Sequence, residues 1–417
     1  MDPKTLAIVI ILFCIIPTAS ALSPPSCDAF SVALTGDPAI TAVSGNGNVI
    51  AIGGTGGIIG TFTPGGSTRW VYRIPEPVTG IAVSEDGRFV AATTFQGDLY
   101  FFNDAGFLLW NNSGFGCNSH VALSGNGQEG YVVSRSPTQD LTGDTVFHFA
   151  GNGTGISRLP VPAITSHDLS TDGRMVVVNS GGSHGNNYLV AIDNAGIRWE
   201  KMSPRQWRVP YVAVSDDGNT VAAAEPGVLT VFSGWGRTLW NTTTNYITRA
   251  VAVSGDGQYI AVGTQYRVLY FNRSGILVWE YPVPDYIGHV KTSKDGTMIV
   301  ATTRHTLYYL DGNGTCLWQY PLQDWTESLS MSGEGDRITV GTYNNTFSIF
   351  DGKGNVTEID LDTIPVIPVI PLVTAEPESP TNSTVLPARS LPASGDPFLT
   401  AIAFGLIGLL WRGRKES

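Results

Sequence analysis

The sequence predicts an all-β protein, a β-propeller of eight four-stranded blades, and three observations carry that prediction. First, a short motif recurs along the chain: an apolar residue, Ser, one or two further residues, then Gly. It stands at Ser44, Ser84, Ser124, Ser170, Ser215, Ser254, Ser293 and Ser332, in steps of 40, 40, 46, 45, 39, 39 and 39 residues. Second, each repeat breaks into short β-branched or alternating runs between Gly, Asp and Asn turns, as in residues 249–282, RAVAVSGDGQYIAVGTQYRVLYFNRSGILVWEYP. Runs of that length and composition between such turns are strands. Third, a Trp follows a turn glycine by three or four residues at Trp70, Trp110, Trp199, Trp240, Trp279 and Trp318. Four strands every ~40 residues is the period of a propeller blade. Seven blades is the alternative count.

Each anchor has a physical reading. Asp-Gly and Asn-Gly after the serine suit a two-residue turn, because both residues tolerate positive φ. The tryptophan ends the outer strand, where a large amphipathic ring can dock on the neighbouring blade and give its indole N–H to a backbone carbonyl. Ser157 and Glu358 stand at that place in repeats 3 and 8. The Ser-x-Asp-Gly hairpin resembles the turn of WD-type and related secreted propeller repeats. The endings SGILVWEY, GNGTCLWQY and AGFLLWN are similar to the tryptophan-docking motif of quinoprotein-type, PQQ-like repeats. The resemblance covers roughly residues 28–360 and implies the fold; both families include enzymes and scaffolds.

In chain order, residues 1–21 read as a secretory signal: Lys4, an apolar core over 6–16, then Ala19-Ser20-Ala21. That core is short for a membrane span. Cys27, Cys117 and Cys316 follow, enough for one disulfide and one thiol left over. The propeller occupies 28–361. Residues 28–36 resemble an outer strand without its Trp, and residues 356–361 are a second candidate; one of the two closes the ring. Repeats 3 and 4 carry extra residues at 134–143 and 180–187, which belong in loops on one face. Trp207 and Trp325 fall between blades, and Trp235 lies off the docking register; capping of the core is the expected role of the first two, and exposed binding contacts the alternative.

Composition shifts after Leu361. Residues 362–396 are rich in Pro, Ser, Thr and Glu and read as an extended stalk. Leu391-Pro392-Ala393-Ser394-Gly395 ends it, and an apolar helix over 397–411 leads to Arg412, Arg414 and Lys415. Together these resemble a cell-surface sorting signal of the LPxTG or archaeosortase-substrate type, with Ser394 where the bacterial motif has Thr. A simple membrane anchor with a positive-inside tail is the alternative. Asn-x-Ser/Thr sequons stand at Asn111, Asn152, Asn241, Asn272, Asn313, Asn344, Asn355 and Asn382, as suits a chain outside the cell.

Net charge of −11 disfavours nucleic-acid binding. Quinoprotein resemblance would imply a quinone between a Trp and a vicinal disulfide, but the chain has no adjacent cysteines, and no C-x-x-C-H or H-E-x-x-H motif. No cofactor or metal is therefore expected; acidic pairs at Glu85-Asp86 and Asp216-Asp217 read as turn residues. Small residues precede most anchor serines by two positions, at Ala42, Ala82, Ala122, Ala213, Ala252 and Ser330; Asp168 and Lys291 break the rule. With His120, His167 and His289 in nearby registers, they form a candidate ligand site at the channel mouth. The expected function is a surface-tethered, non-enzymatic binding or scaffold module for protein or glycan partners. The alternative is an extracellular enzyme, quinoprotein-like or carbohydrate-active, working at the channel mouth.

Overall fold

The computed structural model describes residues 39–135, 144–161, 163–181, 187–202, 211–364 and 367–368. They form eight four-stranded antiparallel sheets, each from consecutive strands, arranged as the blades of a closed propeller. Blades 1 to 8 span 39–73, 78–112, 117–160, 164–202, 211–243, 248–282, 287–321 and 326–360. Within each blade, strand a lines the central channel and strand d forms the rim. Middle strands are buried on both faces, as Ile50–Gly54 and Tyr259–Thr264 are, and so are nearly continuous runs of Val, Ile and Ala. Rim strands alternate instead, as Val356–Asp360 does.

Every anchor serine is buried and works in both directions. In seven blades its hydroxyl donates to the Asn or Asp two residues on, at 2.6–2.9 Å. In blade 8, Ser332 reaches Asp336 instead, at 2.9 Å. The same oxygen accepts the backbone N–H five residues on, for example Tyr259 to Ser254 at 2.9 Å. The two-residue turn with two positive φ values is not what forms. Only the glycine has positive φ, as at Gly257 (67°), and the Asp is recruited through its side chain. A four-residue connection results, closed by Ser254 N–H to the Tyr259 carbonyl at 2.9 Å.

These turns also join the blades. Each a–b turn donates a backbone N–H to the turn of the next blade: Asn46 to Glu85, Asp86 to Gly125, Gly125 to Thr171 and Asp172 to Asp216. Asp216 to Gly255, Asp256 to Lys294, Lys294 to Gly333 and Gly333 to Gly45 complete the circle. Eight joints are thus linked by main-chain bonds of 2.6–3.4 Å around one end of the channel.

Tryptophans lock the rim as expected. Each indole N–H donates to a carbonyl in the c–d turn of the next blade: Trp70 to Asp104, Trp110 to Gly151, Trp199 to Gly234, Trp240 to Arg273, Trp279 to Gly312 and Trp318 to Gly352, at 2.7–3.2 Å. The ring lies on a glycine of that turn; a Cβ on Gly314 would sit 2.8 Å from Trp279. Joint 3→4 has Ser157 there, as expected. At joint 8→1 the occupant is Thr357, not Glu358. The outer hairpin of blade 8 lacks the bulge that the tryptophan-bearing hairpins share, so Thr357 pairs with Ile349 and its methyl meets Gly66.

Ring closure needs no strand exchanged between blades. Val356–Asp360 is the outer strand of blade 8, one of the two sequence candidates; residues 28–36 lie outside the described residues. Ser328 and Ser330 accept the N–H groups of Thr41 and Val43 at 2.9 and 3.1 Å, and Leu361 is buried with Ala39, Ile50, Ile52 and Phe347. Beyond it, Ile367–Pro368 pairs in parallel with the rim strand of blade 1, opposite Tyr72 and Arg73. The remaining stalk, the sorting motif and the C-terminal apolar run lie outside the described residues. Trp279→Ala is expected to cost about 3–5 kcal/mol, the range for emptying a large aromatic site. Thermal unfolding would show it as a clear fall in Tm, against a small change for Thr357→Ala.

Candidate functional site

The two ends of the channel differ. The a–b and c–d turns meet at one end, here the turn face. The b–c turns and blade-to-blade connections meet at the other, the connector face. On the turn face the position after the anchor serine is glycine in four blades, while Glu85, Thr171, Asp216 and Lys294 carry side chains there, around the opening. Lys294 reaches across the ring from blade 7 to pair with Glu85 of blade 2, and its Nζ lies 3.5 Å from Asp216 Oδ2 of blade 5. Thr171 donates its hydroxyl to Asp216 at 2.8 Å. Burial opposes the Lys294 charge, but the two carboxylates outweigh it and hold the ammonium above its ordinary range. This bar crosses a cavity of about 210 Å³ lined by Val43, Val83, Leu123, Val253 and Met331. Glu85 and Asp216 are accordingly ion-pair partners, while Asp86 and Asp217 hold their own turns.

All five residues expected at the channel lie on strand a of their blades, lining it. Two of them join blades. Asp168 accepts the Val214 N–H of blade 5 at 2.8 Å, and His289 meets the Thr326 carbonyl of blade 8 at 3.3 Å. His120 and His167 face each other across joint 3→4 with ring centroids 5.6 Å apart. Lys291 acts on His167, Asp168 and His289 through its charge. His120 is exposed to water in the channel, with protein crowded around the opening; that crowding, then Arg135, lowers it from 6.5 to about 4. Burial, then His120 and Lys291, lowers His167 to about 3. Burial raises Asp168 against the pull of Lys291 and two backbone N–H groups. Among the described residues, no three His, Cys, Asp or Glu side chains converge as a metal site.

A second feature lies on the connector face, and the sequence reading singled out only its Trp325. Tyr246, Tyr286 and Trp325 occupy the connections into blades 6, 7 and 8; Tyr286 and Trp325 stand seven residues before their anchor serines and Tyr246 eight. Each has an arginine over or beside its ring: Arg267 at 5.8 Å, Arg249 at 4.8 Å and Arg304 at 4.5 Å from the centroids. Asp285 and Asp324 fix two of these turns by accepting the N–H of the aromatic residue, both at 2.7 Å. Tyr266 joins at 6.3 Å from Tyr286, and Tyr343 follows on blade 8. Trp325 is 51% exposed, so it does not cap the core as expected. Trp235 is 74% exposed on the turn face under Arg198; Trp207 lies outside the described residues. The available signal was an aromatic residue in each of three successive connections, seven or eight residues before the anchor serine.

The lengthened connections of blades 3 and 4, including 136–143 and 182–186, join b to c strands and so leave from the connector face. The second contains Gly181-Gly182-Ser183-His184-Gly185, a G-x-S-x-G spacing also missed in the sequence. It runs from strand Val176–Gly181 to strand Asn187–Asp193, whereas a nucleophile elbow needs a strand followed by a helix. Cys117 is disulfide-bonded to a cysteine outside the described residues, and Cys316 is free. No helix among the described residues is long and apolar enough to cross a membrane.

A β-propeller built from eight four-stranded repeats is the class these features define. A family model for such repeats, described as outer membrane protein assembly factor BamB, matches residues 225–366. No curated protein matches the chain. Similar solved structures include Sqt1 of Chaetomium thermophilum bound to the N-terminus of ribosomal protein L10, with 12% identity, a TM-score of 0.62 and coverage of 76% of this chain and 97% of that one. BamB of Moraxella catarrhalis is similar at 19% identity and a TM-score of 0.53, covering 76% and 95%. At these identities the likeness is one of fold.

The lowered histidines set a pH dependence. Both stay neutral in the fold, so above pH 6.5 neither opposes folding; below it the unfolded chain takes up protons that the fold refuses. Stability from this pair is lost as pH falls from 6.5 towards 4. His120→Asn with His167→Asn is expected to shrink the drop in Tm between pH 7 and pH 4.5 relative to the parent chain.

Proposed function

We propose that this protein is a non-enzymatic binding module, tethered outside the cell, that holds a segment of a protein partner on the connector face of blades 5–8. The observation that carries this is the arc Tyr246, Tyr286 and Trp325 with its stacked arginines and the neighbouring Tyr266 and Tyr343. Exposed Trp, Tyr and Arg on a rigid frame are the side chains that dominate protein interfaces. A channel wall whose Asp168 and His289 join blades, and whose far end is barred by Lys294, favours binding over chemistry. Sqt1, a propeller of similar fold, is bound to the N-terminus of ribosomal protein L10, and an extended segment is the occupant read here. An extracellular setting is supported by the signal-like residues 1–21, the sequons, the bonded Cys117 and the sorting-like tail.

The test is cross-linking on intact cells, comparing the full chain with its Trp325→Ala/Tyr286→Ala variant. One protein partner retained by the full chain and reduced at least tenfold by the variant, about 1.4 kcal/mol or more, is the expected result. Equal capture by both sinks the assignment of the face, and capture of glycan without protein replaces the partner class. Surface proteolysis and peptide mass spectrometry would separately place the chain, expected to begin near Leu22.

A further inference from the structure

Outer strands are the unpaired edges of a propeller, and a long apolar edge invites pairing with another chain. Here the rim is apolar in places: Phe107 of blade 2 is 68% exposed, Ile276 of blade 6 is 62% and Leu317 of blade 7 is 49%. Leu109, Leu277 and Val278 extend these patches.

The sequons follow that rim. Asn111 and Asn241 lie on the outer strands of blades 2 and 5. Asn152, Asn272, Asn313 and Asn355 lie at the c–d turns that lead into the outer strands of blades 3, 6, 7 and 8. Five of these six are exposed and Asn272 is half-buried. The two blades without one are protected otherwise. In blade 1, Ile367–Pro368 pairs with the end of the edge strand at Tyr72 and Arg73, and the edge of blade 4 carries Glu200 and Lys201. Position relative to the apolar patches is close. Asn111 shares a strand face with Leu109, two residues before it. Asn272 sits against Ile276: its N–H donates to the Ile276 carbonyl and its Oδ1 accepts the Ile276 N–H, both at 3.0 Å. Its Oδ1 also accepts the Ser274 N–H at 3.0 Å, so the oxygen side of the amide is held by the turn. On the connector face, the arc of blades 5–7 carries no sequon; Asn344, on blade 8, is the exception among the described residues.

We infer that N-linked glycans on these six asparagines cover the outer edges and prevent edge-to-edge association. The inference rests on the extracellular setting proposed above. In each transfer the asparagine amide nitrogen forms a bond to the anomeric carbon of a phosphate-linked oligosaccharide donor. The bond from that carbon to the phosphate oxygen breaks, the phosphate leaves with the electron pair, and the amide proton passes to solvent; nothing is oxidised or reduced.

The full chain should be isolated from the surface of its own cells, alongside Asn272→Gln/Asn313→Gln made in the same host. Peptides bearing the six asparagines are expected to be heavier by whole sugar residues. The double variant is expected at twice the parent mass or more by light scattering, and adding Leu277→Lys and Leu317→Lys is expected to restore the parent mass. Surface-located chain with unmodified sequons overturns the inference and leaves the extracellular reading standing. Modified chain whose double variant keeps the parent mass overturns the shielding role. A chain retained in the cytosol overturns the extracellular reading, and this inference with it.

Discussion

The ring of main-chain hydrogen bonds between successive a–b turns is the constraint from which the other features follow. A propeller closes only if eight blades agree in tilt and height, and this circle sets both at the axis. Each link needs the turn backbone held in one shape. That shape comes from a buried hydroxyl that donates to one side chain and accepts from one N–H, so neither polar group is left unpaired away from water. A glycine at positive φ then carries the chain into strand b. Once the turns are linked, the residues beside the serines are forced together. Glu85, Asp216 and Lys294 cross the opening because the geometry brings three blades' charges to one point.

Rim and axis are held by different chemistry. Axial joints rely on small repeated backbone bonds, while rim joints rely on one large ring docked on a glycine. Two rim joints lack the ring, 3→4 and 8→1, and each is compensated locally. At 8→1 the chain after blade 8 crosses to blade 1, burying Leu361 and adding a strand to the rim. At 3→4 the paired His120 and His167 rings lie at the channel side, and Ile164 donates its N–H to the Asp144 carboxylate at 2.8 Å. With the framework satisfied by these devices, the connector face is free to vary. Its aromatic and arginine side chains add no link to the ring of turns, which fits a surface shaped for something outside the molecule.

Much of the architecture could be read from the chain. Blade number, strand order and the indole-to-carbonyl joint followed from spacing and from the needs of an amphipathic ring. Reading failed where an alignment by offset ignored hydrogen-bond register: Glu358 has the right distance from its turn glycine, but a missing bulge moves Thr357 into the dock. It failed also at the turn, where Asp was taken for a conformational residue and proved to be a hydrogen-bonding one.

The sequence by itself determined the repeat, because a strand period of two and turns that need glycine are local properties of the backbone. It could not decide what the channel residues do. Asp168 and Lys291 are far apart along the chain, and only ring closure shows the first joining two blades and the second acting on three neighbours. Nor could it decide which aromatics are exposed. Trp279 and Trp325 are one residue type within one chain, and the neighbouring blade covers the first and not the second. Burial is a property of what lies across a joint, and that is set by the tertiary structure.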